Sequence, residues 1–396
     1  MRNLLLFFPI LVLIACNEIA EVPENINTEE KNEEVDQEQT VDKEKLAVNY
    51  EINRTIQLLS GMDTLLNYPH LEWDIEKIKS FARMVNTKFE KMKSSRLDKI
   101  SIWNTNNMDR AGISKNAFCF YPFSGGDFVH AKWLYPEADE YLLIARERVG
   151  TIPDLAKAPN TEVMKYLDNV DEVLRDIYRR SYFITKNMNS DINDSNRVDG
   201  MLPIILWAMG RSEHDIVSIQ YFDIDEEGQT IRIDPNDVTS KSDAAEVVAI
   251  HRPSGKKKTV TYVSGDISNN GFNNYRGIKK YLEAKVPTSC NSFLKSASYL
   301  LHYSTFSEIK NLIQDQSALI VQDDTGIPFK YFDQKKWTIE LFGKYDDPVA
   351  DFSSRLYQKD LDSAYLNKHF YKGPLNFSLG YHWGDNKQNY MFIHKK

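Results

Sequence analysis

A pair of strand-like runs restricts the possible folds of this chain more than any other feature. The two runs are joined by a tight polar break and a short helix-like run. Ala117–Phe123 is aromatic and strand-like, and it stops at residues 124–127, which read Ser-Gly-Gly-Asp. Phe128–Leu134 resembles a short helix stopped by Pro136, and Tyr141–Ala145 is a second apolar run. This order favours two parallel strands with a right-handed crossover. The sequence therefore predicts a parallel pair in the sheet.

The polar break after the first run has three alternative interpretations. Gly125 and Gly126 leave backbone N–H groups open to a phosphate or a carboxylate, although the G-x-G-x-x-G pattern is absent. Ser124 is a candidate nucleophile, but Pro122 stands where the nucleophile-elbow motif requires glycine. Asp127 alternatively caps the next helix by accepting a backbone N–H bond. The residue types favour capping, and they leave ligand binding and nucleophilic catalysis open.

Acidic residues follow two further strand-like runs. One run leads into Asp266, and another leads into the adjacent acids Asp323 and Asp324. If these strands lie in one sheet and point in the same direction as the first run, their acids and Asp127 converge at one end of it. Ligands of open α/β sheets bind at such an end. The alternative is that each acid belongs to an ordinary polar turn.

The histidines supply two candidate general bases. His130 stands three residues after Asp127, and His302 lies in an apolar stretch; either can transfer a proton if it meets a reacting group. The alternative for both is an ordinary packed or surface histidine. The eight histidines show no H-x-H, H-x-x-x-H or H-E-x-x-H spacing, so the sequence predicts no metal site. No cofactor is expected either, because the G-x-G-x-x-G pattern is absent.

Hydrophobic periodicity in the rest of the body predicts an α/β fold: a mixed sheet with flanking helices, a helical N-terminal part (46–110) and antiparallel pairing toward the C-terminus. The predicted helices cover residues 46–60, 72–93, 161–186, 200–210, 275–285, 291–302 and 306–315. The predicted strands cover residues 216–223, 230–233, 247–251, 259–263, 318–321, 329–332, 338–342, 375–383 and 390–394.

The N-terminus has the pattern of an export signal. Arg2 precedes an apolar run from Leu4 to Ala15, which is too short to span a bilayer. Leu13–Cys16 reads Leu-Ile-Ala-Cys and resembles the bacterial lipoprotein signal, in which the cysteine is acylated and becomes the new N-terminus. This resemblance implies a signal peptide at 1–15, lipidation of Cys16 and attachment to a membrane without spanning it. The alternative is a plain secretory signal.

The charge of the chain is concentrated behind that cysteine. Residues 17–45 contain eleven acidic and three basic residues, a net charge of −8, which equals the net charge of the whole chain. Such a segment buries too little apolar surface to fold, so 16–45 is expected to be a disordered tether for a globular body at 46–396. The body is nearly neutral and has no broad basic face, which argues against a nucleic-acid partner.

Two cysteines remain in the body, Cys119 and Cys290. An oxidising envelope would allow them to pair, but each lies among apolar or small residues and is equally compatible with a buried thiol. The sequence leaves both possibilities open.

Three stretches of the body together resemble motifs of a family of bacterial secreted lipoproteins without an established activity: YPFSGGD (121–127), QDDTGIPFKYF (322–332) and PLNFSLGYHW (374–383). The resemblance implies a lipid-anchored protein of the bacterial cell envelope, at the outer membrane, and it implies no chemistry. The function expected from the residues is a binding or structural module, with a small molecule or a glycan as the possible ligand. The alternative is an envelope hydrolase with a carboxylate-rich site at the strand ends.

Overall fold

The computed structural model describes residues 47–62, 74–115, 117–155, 158–183, 198–234, 236–239, 242–346, 348, 356–383 and 388–396. The expected signal peptide, the lipidation site Cys16 and the acidic tether lie outside these residues. Residues 46–396 form one compact unit. No helix in the described part of the chain is both long and apolar enough to cross a membrane.

An eleven-stranded mixed sheet runs through the described residues, with the order β10-β9-β11-β8-β7-β1-β2-β6-β5-β3-β4. The strands in chain order are β1 (Cys119–Pro122), β2 (Glu140–Ala145), β3 (His214–Ile224), β4 (Thr230–Arg232), β5 (Ala244–His251), β6 (Lys256–Ser264), β7 (Cys290–Leu294), β8 (Ser317–Gln322), β9 (Trp337–Gly343), β10 (Tyr371–Gly373) and β11 (Asn389–Lys395).

The centre of the sheet is parallel. Strands β8, β7, β1, β2 and β6 all run in the same direction, and the predicted pairing of β1 with β2 is confirmed, with Tyr121 opposite Leu143. Every residue of β1 is buried, as expected for a parallel strand covered on both faces. Such strands read as continuous apolar runs, which is why the sequence revealed this pair.

Antiparallel strands extend the sheet on both sides. The predicted hairpins appear as β3 with β4 and β5 with β6, and β11 runs antiparallel to both β8 and β9. Antiparallel pairing is therefore present toward the C-terminus, as expected, and also at the opposite margin. The short β10 adds to β9 in parallel.

Helices cover both faces of the sheet, which confirms the predicted α/β class. One face carries α1–α6 and the other carries α7–α10; within β1, Phe120 faces the second set and Tyr121 faces the first. In chain order the helices are α1 (Tyr50–Leu59), α2 (Ile75–Met92), α3 (Asp98–Ala111), α4 (Phe128–Leu134), α5 (Asn160–Arg180), α6 (Leu202–Arg211), α7 (Asn269–Asn274), α8 (Arg276–Lys285), α9 (Ser307–Gln316) and α10 (Lys359–Leu366).

Helix α5 packs one side against the core and ends beside the sheet. Its buried residues recur every three or four positions, from Val163, Leu167 and Val170 to Ile177, so one stripe of the helix packs against the core. The helix ends where Ser181 adopts a left-handed conformation with φ of 69°. The C-terminal carbonyl groups of a 21-residue helix are thereby fixed next to the sheet.

Three sequence predictions are wrong. Residues 291–302 were expected to form one helix, but they form β7 and then a 3₁₀ helix from Ser296 to His302. All five residues of β7 are buried, and periodicity does not distinguish a short, fully buried strand from a helix segment. The expected strand at 329–332 is a 3₁₀ turn at Phe329–Tyr331. The expected strand at 375–383 contains no strand in its described residues and ends in a 3₁₀ turn at Gly380–His382.

The two cysteines of the body are free thiols on adjacent strands. Cys119 and Cys290 are fully buried and unpaired, and burial raises the pKa of both thiols. Of the two interpretations that the sequence left open, the structure shows the buried thiols.

Candidate functional site

The sheet has a topological switch point between β1 and β7. The chain moves from β1 to β2 and β6 on one side, and from β7 to β8 on the other. The β1–β2 crossover uses α4 on one face, and the β7–β8 crossover uses α9 on the opposite face. Because the two connections diverge, a crevice opens outside the carboxyl ends of the strands, where doubly wound sheets bind ligands.

A cavity of about 400 Å³ occupies this crevice, and we call it the switch-point pocket. Its lining comes from the ends of β1, β2, β6 and β7, from the end of α5 and from the 3₁₀ turn near the C-terminus. Aromatic side chains dominate the wall: Tyr121, Phe123, Tyr182, Phe183, Tyr299, Phe306 and Tyr381. The charged side chains of the lining are Asp127, Arg146, Glu147, Asp266 and Lys295. An aromatic wall with convergent polar groups is typical of small-molecule sites.

A second cavity of about 430 Å³ lies beyond β8 and includes His302, Lys330 and Gln358. It is slightly larger, but it does not collect the ends of several parallel strands or a buried charged pair. The switch-point pocket has both features, so it is the better candidate for a ligand site.

Asp127 lies in the floor of the switch-point pocket and does not act as the helix cap expected from the sequence. It occupies the position before α4, yet its side chain accepts no backbone N–H bond there. Its carboxylate instead accepts hydrogen bonds from Tyr121 Oη at 2.9 Å, His130 Nδ1 at 2.6 Å and Lys295 Nζ at 2.6 Å. The residue therefore holds together β1, α4 and the segment after β7.

The charge on Asp127 is balanced by Lys295. Burial alone would raise the pKa of Asp127, but His130 and Lys295 together lower it to about 2. Burial lowers the pKa of His130 to about 4, so this histidine is neutral near pH 7 and donates from Nδ1. Lys295 then carries the only positive charge in direct contact with the Asp127 carboxylate among the described residues.

Lys295 is held at the end of α5 as well as by Asp127. Its ammonium group donates to the carbonyl oxygen of Ser181, and the buried Arg96 donates to the carbonyl groups of Ile177 and Arg179. The C-terminus of a helix carries partial negative charge and favours cations. Burial lowers the pKa of Lys295, and Asp127 offsets only part of this effect.

Lys295 and Arg96 were not among the site residues predicted from the sequence. One signal was present: Lys295 directly follows the apolar pair Phe293 and Leu294 and has no acid within ten residues on either side, which is unusual for a solvated lysine. Arg96 had no signal, since it lies in a charged, helix-forming stretch.

Ser124 and Asp266 line the same pocket as Asp127. The Ser124 hydroxyl donates to the carbonyl oxygen of Gly125 at 3.0 Å rather than to a histidine. Asp266 accepts the N–H of Ser268 at 2.9 Å and lies 3.8 Å from a guanidinium nitrogen of Arg146. The structure thus brings Asp127 and Asp266 to one end of the sheet, without a nucleophile–base pair between them.

Asp323 lies outside the lining of the pocket and is fully buried. Its Oδ1 accepts hydrogen bonds from the backbone and hydroxyl groups of Thr325, whereas its Oδ2 has no partner in the described part of the chain. Burial, followed by repulsion from Asp324, raises the pKa of Asp323 to about 7.

Asp324 and His302 are also placed away from the switch-point pocket. Asp324 accepts hydrogen bonds from His382 Nε2 and Asn389 Nδ2, both at 3.1 Å. His302 Nε2 lies 3.2 Å from the Asp324 carbonyl oxygen and faces the second cavity. The sequence-predicted candidates therefore separate into a pocket group, namely Ser124, Asp127 and Asp266 with His130 behind them, and a group beyond β8.

Backbone strain is concentrated at the pocket. Phe123, Ser181 and Ser296 have φ values of 62°, 69° and 60°, a conformation that costs about 1–2 kcal/mol for residues other than glycine. Phe123 and Ser296 line the pocket, and Ser181 binds Lys295. Such strain persists where the surroundings fix it, which is often at a functional site.

Comparison of the chain with family models, with curated proteins and with solved structures found no match. Among the described residues, no three His, Cys, Asp or Glu side chains are grouped so that they could hold a metal ion. The geometry of the switch-point pocket is therefore the main indication of function.

Proposed function

We propose that this protein is a lipid-anchored binding module of the bacterial envelope, whose switch-point pocket takes a small organic ligand with a flat apolar part. The anchor is the acylated Cys16, and the acidic tether carries the globular body away from the membrane.

The observation that carries this proposal is the composition of the pocket. Aromatic rings form its wall: Phe123 and Phe306 have centroids 5.9 Å apart, and Tyr182 and Tyr381 have centroids 4.6 Å apart. Rings in such positions offer faces and edges to a planar or ring-shaped ligand. The floor is a buried ion pair, in which Lys295 Nζ lies 2.6 Å from the Asp127 carboxylate.

The same geometry favours binding over hydrolysis. A nucleophilic serine needs a base within hydrogen-bond distance, but Ser124 donates to a neighbouring carbonyl group. His130 is fully buried and uses Nδ1 for Asp127, and His302 faces a different cavity. Within the described part of the chain, the alternative of a hydrolase therefore has carboxylates at a strand end but no activated nucleophile beside them.

The test uses 8-anilinonaphthalene-1-sulfonate, a fluorescent aromatic probe, with the purified body. We expect saturable binding of one molecule per chain, and at least about tenfold weaker binding in an Ala297→Trp variant, because Ala297 lines the pocket. The matched control is Ala111→Trp, which also changes a partly buried alanine, at the end of α3. Both variants are first shown to unfold cooperatively. Equal binding by the two variants and the wild type would contradict the proposal.

A further inference from the structure

We infer that the ligand of the switch-point pocket is a ribonucleoside, whose ribose hydroxyl groups are bound by the carboxylate of Glu147 and whose base packs among the aromatic rings. This inference names the ligand class of the proposed binding function and rests on it.

Glu147 stands in the position that a ribose-binding acid takes in doubly wound sheets. It follows the end of β2 by two residues, is partly buried and lines the pocket. It comes twenty-one residues after Gly126, and in dinucleotide-binding folds an acid about 20 residues beyond the glycine turn accepts the ribose 2′-hydroxyl. Burial raises the pKa of Glu147, and its own backbone N–H and Arg146 offset only part of this effect. Two ribose hydroxyl donors would stabilise its charged form.

The glycine turn after β1 gives such a ligand room. Gly125 lines the pocket with φ of 55°, so bare backbone faces the cavity where a side chain would be strained. At Gly126, an added Cβ would lie only 3.2 Å from Met201 Sδ and 3.3 Å from Ile204, so this glycine allows α6 to pack against the turn. These are two of the roles that glycines play in nucleotide-binding turns.

The aromatic wall supplies a place for the base. Phe123 directly follows β1 and Phe306 directly precedes α9. Their rings are tilted by 59°, so they form a corner rather than a closed stack. Bases stack on such rings with little dependence on their identity. The pocket geometry therefore selects a nucleoside as a class and leaves the choice of base to other contacts.

The charges of the pocket favour a nucleoside over a nucleotide. Three acids, namely Asp127, Glu147 and Asp266, lie in the lining together with Arg146 and Lys295. Lys295 is already bonded to Asp127 and Ser181, and the turn lacks the G-x-G-x-x-G pattern that holds a pyrophosphate. The other cation of the described lining, Arg146, lies 3.8 Å from the Asp266 carboxylate, so a phosphate would have to compete with an existing acidic partner of each cation.

The test titrates the wild-type body with adenosine, guanosine, cytidine and uridine by calorimetry, and then compares the tightest of them with its 2′-deoxy form. We expect the deoxy form to bind about tenfold more weakly, the usual effect of losing a hydrogen bond to a charged group. In Glu147→Gln this preference for the ribose should shrink, whereas in Glu140→Gln, at the opposite end of the same strand, it should be unchanged. The 5′-monophosphate should bind more weakly than the nucleoside.

The outcomes separate the two proposals. If 8-anilinonaphthalene-1-sulfonate binds in the pocket but no nucleoside binds or displaces it, the nucleoside inference fails and the proposed function stands. If neither probe binds the wild type, both fail. Equal affinity of the ribose and 2′-deoxy forms for the wild type would overturn the role of Glu147, and this comparison does not depend on any variant folding.

Discussion

The buried pair of Asp127 and Lys295 shows how individual residues connect the fold to the pocket. Both side chains are 2% exposed, and a charge at such depth is tolerated only when it is paired and hydrogen-bonded. The Asp127 carboxylate accepts hydrogen bonds from three donors, and Lys295 donates both to this acid and to a carbonyl group at the end of α5. The pair therefore positions the ends of β1, β7 and α5 around one cavity more than it adds to the stability of the fold.

Asp323 gives a pH-dependent stability that can be measured. Its pKa rises from 3.8 to about 7, so the folded protein holds the proton more tightly than the unfolded chain does. The contribution of Asp323 to stability is therefore largest at low pH, falls as the pH rises from about 4 to about 7, and is constant above that. Asp323→Asn keeps an acceptor for Thr325 and cannot ionise. The difference in free energy of unfolding between this variant and the wild type should therefore shift by about 1–3 kcal/mol in favour of the variant from pH 5 to pH 8.

Urea unfolding of both proteins at the two pH values checks this expectation. Asp315→Asn serves as the control, because Asp315 is exposed on α9 and its replacement should change the free energy of unfolding equally at both pH values. An equal change for Asp323→Asn at pH 5 and pH 8 would show that its carboxyl group titrates normally.

At the scale of elements, the sequence predicted what depends on local pattern and missed what depends on contacts between distant segments. The β1–α4–β2 unit and the β5–β6 hairpin follow from apolar runs and turn residues. The run 291–302 was misread because β7 lies in the centre of the sheet, where every side chain is buried and no alternation remains. Asp127 looked like a helix cap because its partner Lys295 is 168 residues away along the chain.

Two glycines fix α6 to the loop after β2, and their replacement tests this element. A Cβ on Gly200, which has φ of 73°, would lie 2.4 Å from the Cα and N atoms of Gly150. Gly200→Ala combines this clash with a left-handed backbone, so we expect it to lower the free energy of unfolding by about 3 kcal/mol or more. Gly255→Ala has a similar φ of 65° with no atom within 4 Å, and it should cost only about 1 kcal/mol.

The comparison of these two glycine variants by denaturant titration separates crowding from backbone strain. Helix α6 supports the glycine turn of the pocket through Met201 and Ile204, so Gly200→Ala should also weaken binding of the fluorescent probe, while Gly255→Ala should not. Similar losses of stability in both variants would show that the chain can separate the two segments at little cost.

At the scale of the whole molecule, composition and structure divide the chain into parts with different physical roles. The net charge of −8 comes from residues 17–45, whereas the body buries its apolar residues on both faces of one sheet. The sequence was sufficient to propose a tether, because residues 17–45 contain too few apolar side chains to form a core. It was not sufficient to locate the pocket, since the four strand ends that form it lie between residues 121 and 300.

The proposed lipid anchor can be tested on the full-length chain. Acylation of Cys16 would place several hydrocarbon chains in the bilayer, each buried methylene adding about 0.8 kcal/mol, so the wild type should remain in the membrane fraction of a bacterial host after a high-salt wash. Cys16→Ser removes the acylated thiol and should move nearly all of the protein to the soluble or uncleaved precursor fraction, without metabolic labelling by palmitate. Cys290→Ser, a matched change at a buried thiol of the body, should leave the protein membrane-bound and labelled. Continued tight attachment and labelling of the Cys16→Ser variant would show that the anchor lies elsewhere.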